Sequence, residues 1–188
     1  MKKRIGLLGG TFDPPHYGHL LMAERAFEEV ELDEVWFIPS YIPPHKANAK
    51  TSGTDRVKML QLAIEDRPHF HINTIELERK GKSYTIDTVN ILREQNPDTE
   101  LFFIIGGDMV EYLPNWHRIE ELSQLITFIG MKRHGYSMDT PYLVYEVAMP
   151  ILEISSTDIR NRVAEGRSIR YLTSKKIIDF IEEKGLYR

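Results

Sequence analysis

The order of elements in residues 5–30 constrains the fold of this chain more than any other feature. A short apolar run, typical of a buried strand, ends in Gly9 and Gly10 and is followed by a proline turn and a helical pattern. Glycines let the backbone approach a bulky ligand closely. His16 and His19 lie at the predicted start of the helix, three positions apart and therefore on one face. Because a helix start carries free N–H groups and a partial positive charge, this unit predicts a polyphosphate site.

Apolar runs and helical patterns alternate along the rest of the chain, as is typical of a parallel α/β sheet. The patterns predict strands at residues 4–8, 34–39, 70–77, 101–105, 126–131 and 143–149. They predict helices at residues 19–30, 54–66, 84–95, 118–124, 156–166 and 173–184. Thr54 and Gly185 are expected to cap two of these helices. We therefore expect one Rossmann-like α/β domain over residues 1–188, with a mostly parallel sheet, helices on both faces and the elements after Gly130 at its edge.

Composition narrows the classes of function. The net charge of −4 argues against broad nucleic-acid binding, which needs a basic surface. The chain has no cysteine, which excludes disulfides and thiol catalysis and disfavours a zinc site at the two histidines. The apolar run near the N-terminus is too short for a signal peptide or a membrane span. We therefore expect a cytoplasmic protein with neither a nucleic-acid partner nor a membrane partner.

Glycines, polar residues and basic residues follow the ends of several predicted strands. These positions are Gly9, Gly10 and Thr11, then Pro39 and Ser40, then Gly106, Gly107 and Asp108, and finally Lys132 and Arg133. Ligands of doubly wound sheets bind beyond the carboxyl ends of the strands, so these residues are expected around one ligand. Asp108 is expected to contact a ribose hydroxyl, to support Mg²⁺ or to cap the short helix after it.

A second motif lies near residue 155. Ser155, Ser156 and Thr157 precede a predicted helix, and Arg160 lies one turn into it. A hydroxyl at this position often serves only as an N-cap. A guanidinium one turn inside the helix can also reach an anion that the helix start binds. The motif therefore favours a second half of the same phosphate site.

Together the two motifs resemble the signatures of the nucleotidyltransferases that carry an HxGH motif. The resemblance extends from residue 5 to residue 160 and includes His16-Tyr17-Gly18-His19 and the Ile-Ser-Ser-Thr-x-Ile-Arg pattern. It implies that His16, His19, Ser156 and Arg160 bind the triphosphate of ATP. The full set of expected ATP-binding residues is Gly9, Gly10, Thr11, Phe12, His16, His19, Gly106, Asp108, Ser155, Ser156, Thr157 and Arg160.

Residues 43–46, 82–88 and 114–118 resemble the acceptor loops of bacterial nicotinate-nucleotide adenylyltransferases. The resemblance implies that the mononucleotide binds Lys46, Tyr84, Thr85, Trp116 and His117. Trp116 would stack on the flat heterocycle, whereas the alternative is a partly buried packing residue. Thr85 and nearby backbone amides would hold a small carboxylate. His117 occupies a position at which the family often has tyrosine, and a contact through its backbone survives that change.

The implied reaction joins nicotinate mononucleotide and ATP to give nicotinate adenine dinucleotide and pyrophosphate, as a step of NAD biosynthesis. Mg²⁺ is the expected cofactor, and the expected catalytic residues are His16, His19, Lys46 and Arg160. Adenylyl transfer to nicotinamide mononucleotide or to phosphopantetheine stays open, and cytidylyl transfer is less favoured. A dinucleotide-binding oxidoreductase is disfavoured because the first glycines do not form G-x-G-x-x-G. A nucleotide sensor without turnover and a homo-oligomeric assembly stay open as well.

Overall fold

The computed structural model describes residues 2–43, 49–132 and 135–188. Its centre is a six-stranded sheet in which all neighbouring strands run parallel. The strands are β1 (Lys3–Gly10), β2 (Glu34–Pro39), β3 (Phe70–Ile72), β4 (Thr99–Gly106), β5 (Thr127–Lys132) and β6 (Val144–Ala148). Their order is β3-β2-β1-β4-β5-β6. The expected α/β fold is therefore confirmed, while the predicted site residues Lys46 and Arg133 lie outside the described ranges.

Helices cover both faces of this sheet. The described α-helices are α1 (Tyr17–Glu29), α2 (Gly53–Ile64), α3 (Ile75–Arg79), α4 (Thr85–Gln95), α5 (Gly107–Tyr112), α6 (Ile119–Leu125), α7 (Ser156–Ala164) and α8 (Lys175–Lys184). One buried apolar cluster joins the sheet to α1 and α2, and a second joins it to α4, α5 and α6. Within the described ranges, no helix is both long and apolar enough to cross a membrane.

The strand order explains where a ligand site forms. The chain adds β2 and β3 on one side of β1 and then returns to add β4, β5 and β6 on the other side. The connections after β1 and β4 consequently leave in opposite directions, and a crevice opens at the carboxyl ends of these two strands. Residues 9–19 and 106–108 follow β1 and β4, so the predicted phosphate motif lies at this crevice. β6 forms the outer strand, which confirms the edge position for this element. The prediction is wrong for the two later helices, because α7 contacts the turn after β1 and α8 packs against α2.

The predicted strand at residues 70–77 is wrong beyond its first three residues. β3 ends at Ile72, and the short helix α3 begins at Ile75. The side chain of Asn73 accepts a hydrogen bond from the backbone N–H of Ile75 at 3.1 Å, which turns the chain out of the sheet. Apolar residues at Ile75 and Leu77 fit strand alternation as well as one turn of helix, so their spacing could not separate the two.

One of the two predicted helix caps is confirmed. The N-cap of α2 is Ser52 and not Thr54, because Ser52 Oγ accepts the backbone N–H of Asp55 at 3.0 Å. Gly185 does end α8, with a left-handed backbone at φ 62°. Glycine adopts this conformation without the steric cost that a side chain would add.

Candidate active site

The turn after β1 is built around Phe12, which is buried and has a left-handed backbone at φ 51°. A Cβ on Gly10 would lie 2.9 Å from Phe12 Cζ, closer than real Cβ contacts. Gly10 is therefore needed for the Phe12 ring to occupy its position. The ring packs against the His19 imidazole in a T-shaped arrangement, with centroids 5.0 Å apart and planes at 71°. In this structure Phe12 thus supports His19, and its expected contact with ATP stays a prediction.

The two motif histidines form a stacked pair at the start of α1. Their ring centroids are 3.7 Å apart, and the planes differ by 26°. The backbone N–H of His16 donates a hydrogen bond to His19 Nδ1 at 3.3 Å. Because Nδ1 accepts, the neutral imidazole of His19 carries its proton on Nε2, which makes Nε2 a donor. Gly18 is the small residue that permits this stack, since a Cβ there would lie 3.0 Å from the His16 ring.

The second motif contacts the same turn, so the structure brings the two halves of the predicted phosphate site together. Ser156 Oγ donates to the carbonyl oxygen of Pro14 at 2.8 Å. Arg160 Nη1 donates to the carbonyl oxygen of Asp13 at 2.8 Å, and its Nη2 donates to Thr157 Oγ1 at 3.1 Å. Arg160 has further N–H groups for a phosphate, whereas Ser156 has donated its only proton. Both side chains therefore position the turn, and their contact with triphosphate stays a prediction.

Ser155 is the N-cap of α7. Its Oγ accepts the backbone N–H of Asp158 at 3.1 Å. Its backbone is extended, with φ −132° and ψ 148°. The hydroxyl thus satisfies one of the free N–H groups at the helix start, while its own proton and the backbone of Ser155 stay candidates for phosphate.

Arg56 is a buried arginine that the sequence analysis missed. Its residue surface is 2% exposed, and Nη1 donates to the carbonyl oxygens of Thr11 and Ser40, both at 2.8 Å. Burial lowers the pKa of the guanidinium, and the nearby charge of Asp13 opposes that shift. Arg56 therefore ties the turn after β1 to the segment after β2. Its spacing with Met59 and Leu60 on the buried face of α2 was the available signal.

Asp13 is a second missed residue, quoted in the motif but given no role. Its residue surface is 2% exposed. Its carboxylate accepts from the backbone N–H of Lys50 at 2.5 Å, from Thr51 Oγ1 at 2.7 Å and from Tyr187 Oη at 2.7 Å. A buried carboxylate needs such donors to offset the loss of water. The turn that carries the histidines is thus held by residues 50–51 and by the C-terminal segment.

At the end of β4, Gly106 and not Asp108 caps the following helix α5. Asp108 is exposed at the second position of α5, and a Cβ on Gly106 would lie 2.6 Å from Asp108 Oδ1. Gly106 therefore lets the carboxylate fold back toward the strand end. In the described ranges, no group of three or more histidine, aspartate or glutamate residues could hold a metal ion. A single carboxylate such as Asp108 would suit a magnesium ion whose other ligands are phosphate and water.

Two of the three loops predicted to bind the mononucleotide, at residues 82–88 and 114–118, lie side by side. The rings of Tyr84 and His117 have centroids 4.3 Å apart and planes at 33°. Tyr84 is the N-cap of α4, and Thr85 is its first residue. The first backbone N–H groups of a helix have no acceptor inside it, so they are available to a carboxylate. The structure therefore joins three of the five predicted acceptor residues, and their contact with substrate stays a prediction.

Trp116 is half-buried against the core. Its ring meets those of Phe103 and Phe128 edge to face, with centroids 5.7 Å and 6.1 Å away and planes at 86° and 90°. Its Nε1 has no hydrogen-bond partner among the residues that the structure describes. Phe103 also touches the start of the other site, since a Cβ on Gly9 would lie 3.1 Å from Phe103 Cζ. Trp116 therefore packs against the core, as its alternative role requires, and its stacking on a substrate stays a prediction. Phe103 lies between the two predicted substrate regions.

Glu76 is a buried carboxyl that fixes the start of α4. Thr88 Oγ1 donates to Glu76 Oε1 at 2.7 Å. Burial raises the pKa of Glu76, while hydrogen bonds from Thr88 and Ser83 and the charge of Arg79 oppose the shift. Ser83 Oγ in turn accepts the backbone N–H of Tyr41 at 3.0 Å. This cluster joins α3, α4 and the end of β2 beside the predicted acceptor loops.

Replacing Glu76 by glutamine is expected to weaken the pH dependence of stability. A carboxyl whose pKa rises on folding binds its proton more tightly in the folded chain. Its effect is stabilising at acid pH and is lost as pH rises from 4.5 through the raised pKa. Glutamine still accepts from Thr88 but does not titrate. Melting temperatures between about pH 4.5 and 7.5 test this expectation, with the exposed Glu94→Gln as control. Curves of equal slope for wild type and Glu76→Gln would contradict it.

Comparison with known proteins identifies relatives over almost the whole chain. The cytidylyltransferase-like family model matches residues 7–162. A probable nicotinate-nucleotide adenylyltransferase of Geobacillus thermodenitrificans is 57% identical, over 98% of this chain and 86% of that protein. The nicotinate-nucleotide adenylyltransferase of Bacillus subtilis is 50% identical, over 98% of both chains.

A solved structure supports the fold independently of close sequence similarity. The nicotinic acid mononucleotide adenylyltransferase of Plasmodium falciparum, complexed with NaAD, superposes with a TM-score of 0.85 at 22% identity. The match covers 98% of this chain and 97% of that one. With the family model and the two bacterial relatives, the paired histidines and the Ser156–Arg160 motif show that this chain belongs to the nicotinate-nucleotide adenylyltransferase family, within the cytidylyltransferase-like nucleotidyltransferases.

Proposed function

We propose that this protein transfers AMP from ATP to nicotinate mononucleotide, giving nicotinate adenine dinucleotide and pyrophosphate. The observation that carries the proposal is the stacked His16–His19 pair at the start of α1, on a turn that Arg160 and Ser156 also contact. Relatives that are 50–57% identical over 98% of the chain carry the name of this activity. The positively polarised helix start and the cationic side chain suit a triphosphate, and the turn lies at the crevice where such sheets bind nucleotides.

The chemistry needs alignment and charge stabilisation more than it needs a base. The acceptor phosphate is already an anion at neutral pH, so its oxygen can attack the α-phosphorus directly as the bond to pyrophosphate breaks. The protein must hold the two phosphates in line and exclude competing water. Charge then grows on the departing pyrophosphate. His19 Nε2 and Arg160 are the donors that we propose for this charge, together with the partial positive charge at the start of α1.

Mg²⁺ is the proposed cofactor, and Asp108 is the described residue that fits it. A magnesium ion in a nucleotide site is commonly held by one carboxylate, with substrate phosphates and waters completing its six ligands. The exposed carboxylate of Asp108 at the end of β4 suits that arrangement. When bound, the ion would neutralise charge on the triphosphate.

The proposed acceptor site lies between the start of α4 and the Pro114–Arg118 loop. The free N–H groups near Thr85 suit the nicotinate carboxylate. Lys46 is the proposed ligand of the acceptor phosphate by resemblance alone. A cytoplasmic location and a homo-oligomeric assembly both stay predictions.

Trp116→Ala is expected to raise KM for nicotinate mononucleotide by roughly 5- to 150-fold and to change KM for ATP much less. Stacking of one base on an aromatic ring contributes about 1–3 kcal/mol, which corresponds to that range. Steady-state kinetics with each substrate varied in turn provide the measurement. Trp36→Ala is the matched control, since Trp36 is also half-buried but lies on β2 and donates to Glu34. Equal KM values for wild type and Trp116→Ala would show that Trp116 only packs against Phe103 and Phe128.

The direct test of the function is pyrophosphate release from Mg·ATP with three acceptors at equal concentration. These are nicotinate mononucleotide, nicotinamide mononucleotide and phosphopantetheine. Strong preference for the first supports the proposal, and loss of turnover with excess chelator supports the metal. Preference for another acceptor would still support adenylyl transfer at the His16–His19 turn, but it would contradict the proposed carboxylate site near Thr85. No release with any acceptor would reject the proposed function.

A further inference from the structure

The carboxylate of Asp13 connects three distant parts of the chain. Asp13 lies in the turn before His16, while its donors come from Lys50, Thr51 and Tyr187. Thr51 and Tyr187 both donate to Oδ1, and Lys50 donates to Oδ2. The side chain is therefore held at both oxygens, which fixes its orientation as well as its position. Sequence separations of 37, 38 and 174 residues show that no local motif creates this arrangement.

The Tyr187 contact is specific to its hydroxyl. Burial raises the pKa of Tyr187 well above its ordinary value, and the hydrogen bond to Asp13 adds to the shift. The phenol therefore stays protonated and acts as a donor to a carboxylate that water scarcely reaches. Its backbone is left-handed at φ 64°. By contrast, Tyr171 in the same part of the chain is 86% exposed.

Further contacts make the turn a single braced unit. Thr173 Oγ1 donates to the carbonyl oxygen of Pro15 at 2.8 Å, and the backbone N–H of Tyr17 donates to the carbonyl of Leu172 at 3.2 Å. Each carbonyl from Asp13 to Pro15 thus accepts from a side chain beyond residue 155. The Asp13 side chain adds a link in another direction, toward residues 50–51, which precede α2.

We propose that Asp13 and Tyr187 are positioning residues that hold the His16–His19 turn in register with residues 50–51 for the adenylyl transfer. The proposal rests on the proposed function for its kinetic readout. In this proposal, neither the Asp13 nor the Tyr187 side chain contacts substrate. Instead, Tyr187 fixes the Asp13 carboxylate, and Asp13 fixes the turn against the segment that follows the predicted acceptor-phosphate residue Lys46. A small displacement of such a turn is costly because in-line transfer depends on the geometry of both phosphates.

Tyr187→Phe tests the inference by deleting one hydroxyl, with Tyr171→Phe as the matched control. We expect kcat to fall on the order of tenfold, since a misplacement of about 1 Å caused far from the reacting atoms can cost about 10²-fold and one lost hydrogen bond displaces the turn less. Tyr171→Phe is expected to match wild type. Both are assayed well below their melting temperatures, with folding checked by circular dichroism. A folded Tyr187→Phe with unchanged kcat and unchanged KM values would overturn the proposal, whatever its melting temperature.

A double-mutant cycle combines Tyr187→Phe with Thr51→Val. It tests whether the two side chains affect kcat through Asp13 or independently of each other. Thr51 and Tyr187 donate to the same oxygen, so removal of either already loosens the carboxylate. The double variant is therefore expected to lose less kcat than the product of the two single losses. Losses that multiply independently would contradict a shared role through Asp13.

Amide exchange gives a readout that does not depend on turnover. The N–H of Lys50 is held by Asp13 Oδ2, so Tyr187→Phe is expected to speed its exchange and that of residues 16–19, whereas Tyr171→Phe is not. Unchanged exchange at these amides would overturn the structural link. If wild type released no pyrophosphate with any acceptor, the proposed function would fail, while the exchange result would still decide whether Tyr187 and Asp13 hold the turn.

Discussion

His19→Ala is expected to lower kcat by roughly 10²–10³-fold while leaving the protein folded. Removal of one preorganised donor to developing charge typically costs a factor of that size. His19 Nε2 is such a donor, because Nδ1 accepts the backbone N–H of His16. The ring is only half-buried, so its deletion leaves a small defect at the start of α1. Pyrophosphate release measures kcat, and thermal melting measures stability.

His19→Asn separates the phosphate contact from the local structure. The oxygen of an asparagine side chain can accept the His16 N–H as Nδ1 does, but asparagine has no group at the position of Nε2. We therefore expect His19→Asn to melt close to wild type and to lose as much kcat as His19→Ala. The exposed His71→Ala should keep full activity. Near-normal kcat in His19→Asn would show that His19 serves mainly to organise the turn.

Much of the fold could be predicted because its determinants are local. The apolar strands β1 and β4 have no competing interpretation, since a fully buried parallel strand is apolar on both faces. The glycines and the paired histidines predicted a phosphate site because the pattern depends on spacing within one turn of helix. The same reasoning failed at residues 70–77, where a single asparagine side chain turns the chain into α3.

The interior of the site could not be predicted, because its contacts join residues far apart in sequence. Nothing local distinguishes Asp13, which accepts from a tyrosine 174 residues away, from an ordinary turn aspartate. Ser156 is predicted to bind phosphate, and the sequence gives no sign that its proton is donated to the carbonyl of Pro14. Arg56 lies at an apolar position of α2, yet its partners are carbonyls that appear only after the sheet has formed. A sequence motif predicts which residues lie close together. Which of their hydrogen-bond donors are still available to a ligand depends on contacts that form only in the folded chain.

Arg56→Ala is expected to lower the free energy of unfolding by about 3–5 kcal/mol, the usual cost of removing one member of a buried charged network. The carbonyls of Thr11 and Ser40 lose their donor, and the buried charge of Asp13 loses a nearby cation. For a domain of this size, each kcal/mol lowers the melting temperature by about 2–4 °C, so a decrease on the order of 10 °C is expected. Urea unfolding and thermal melting provide the two measurements.

Two further variants, Arg56→Lys and Lys58→Ala, show whether that loss of stability comes from the charge of Arg56 or from its hydrogen bonds. Lysine keeps the charge but replaces the planar guanidinium by a point donor, so it is expected to recover part of the stability. Lys58 is exposed on the same helix, and its loss should change stability by no more than about 0.5 kcal/mol. Because Arg56 joins the ends of β1 and β2, Arg56→Lys should also lose activity when fully folded. If Arg56→Lys were as stable and as active as wild type, charge alone would explain the residue, and the two carbonyl contacts would not position the site.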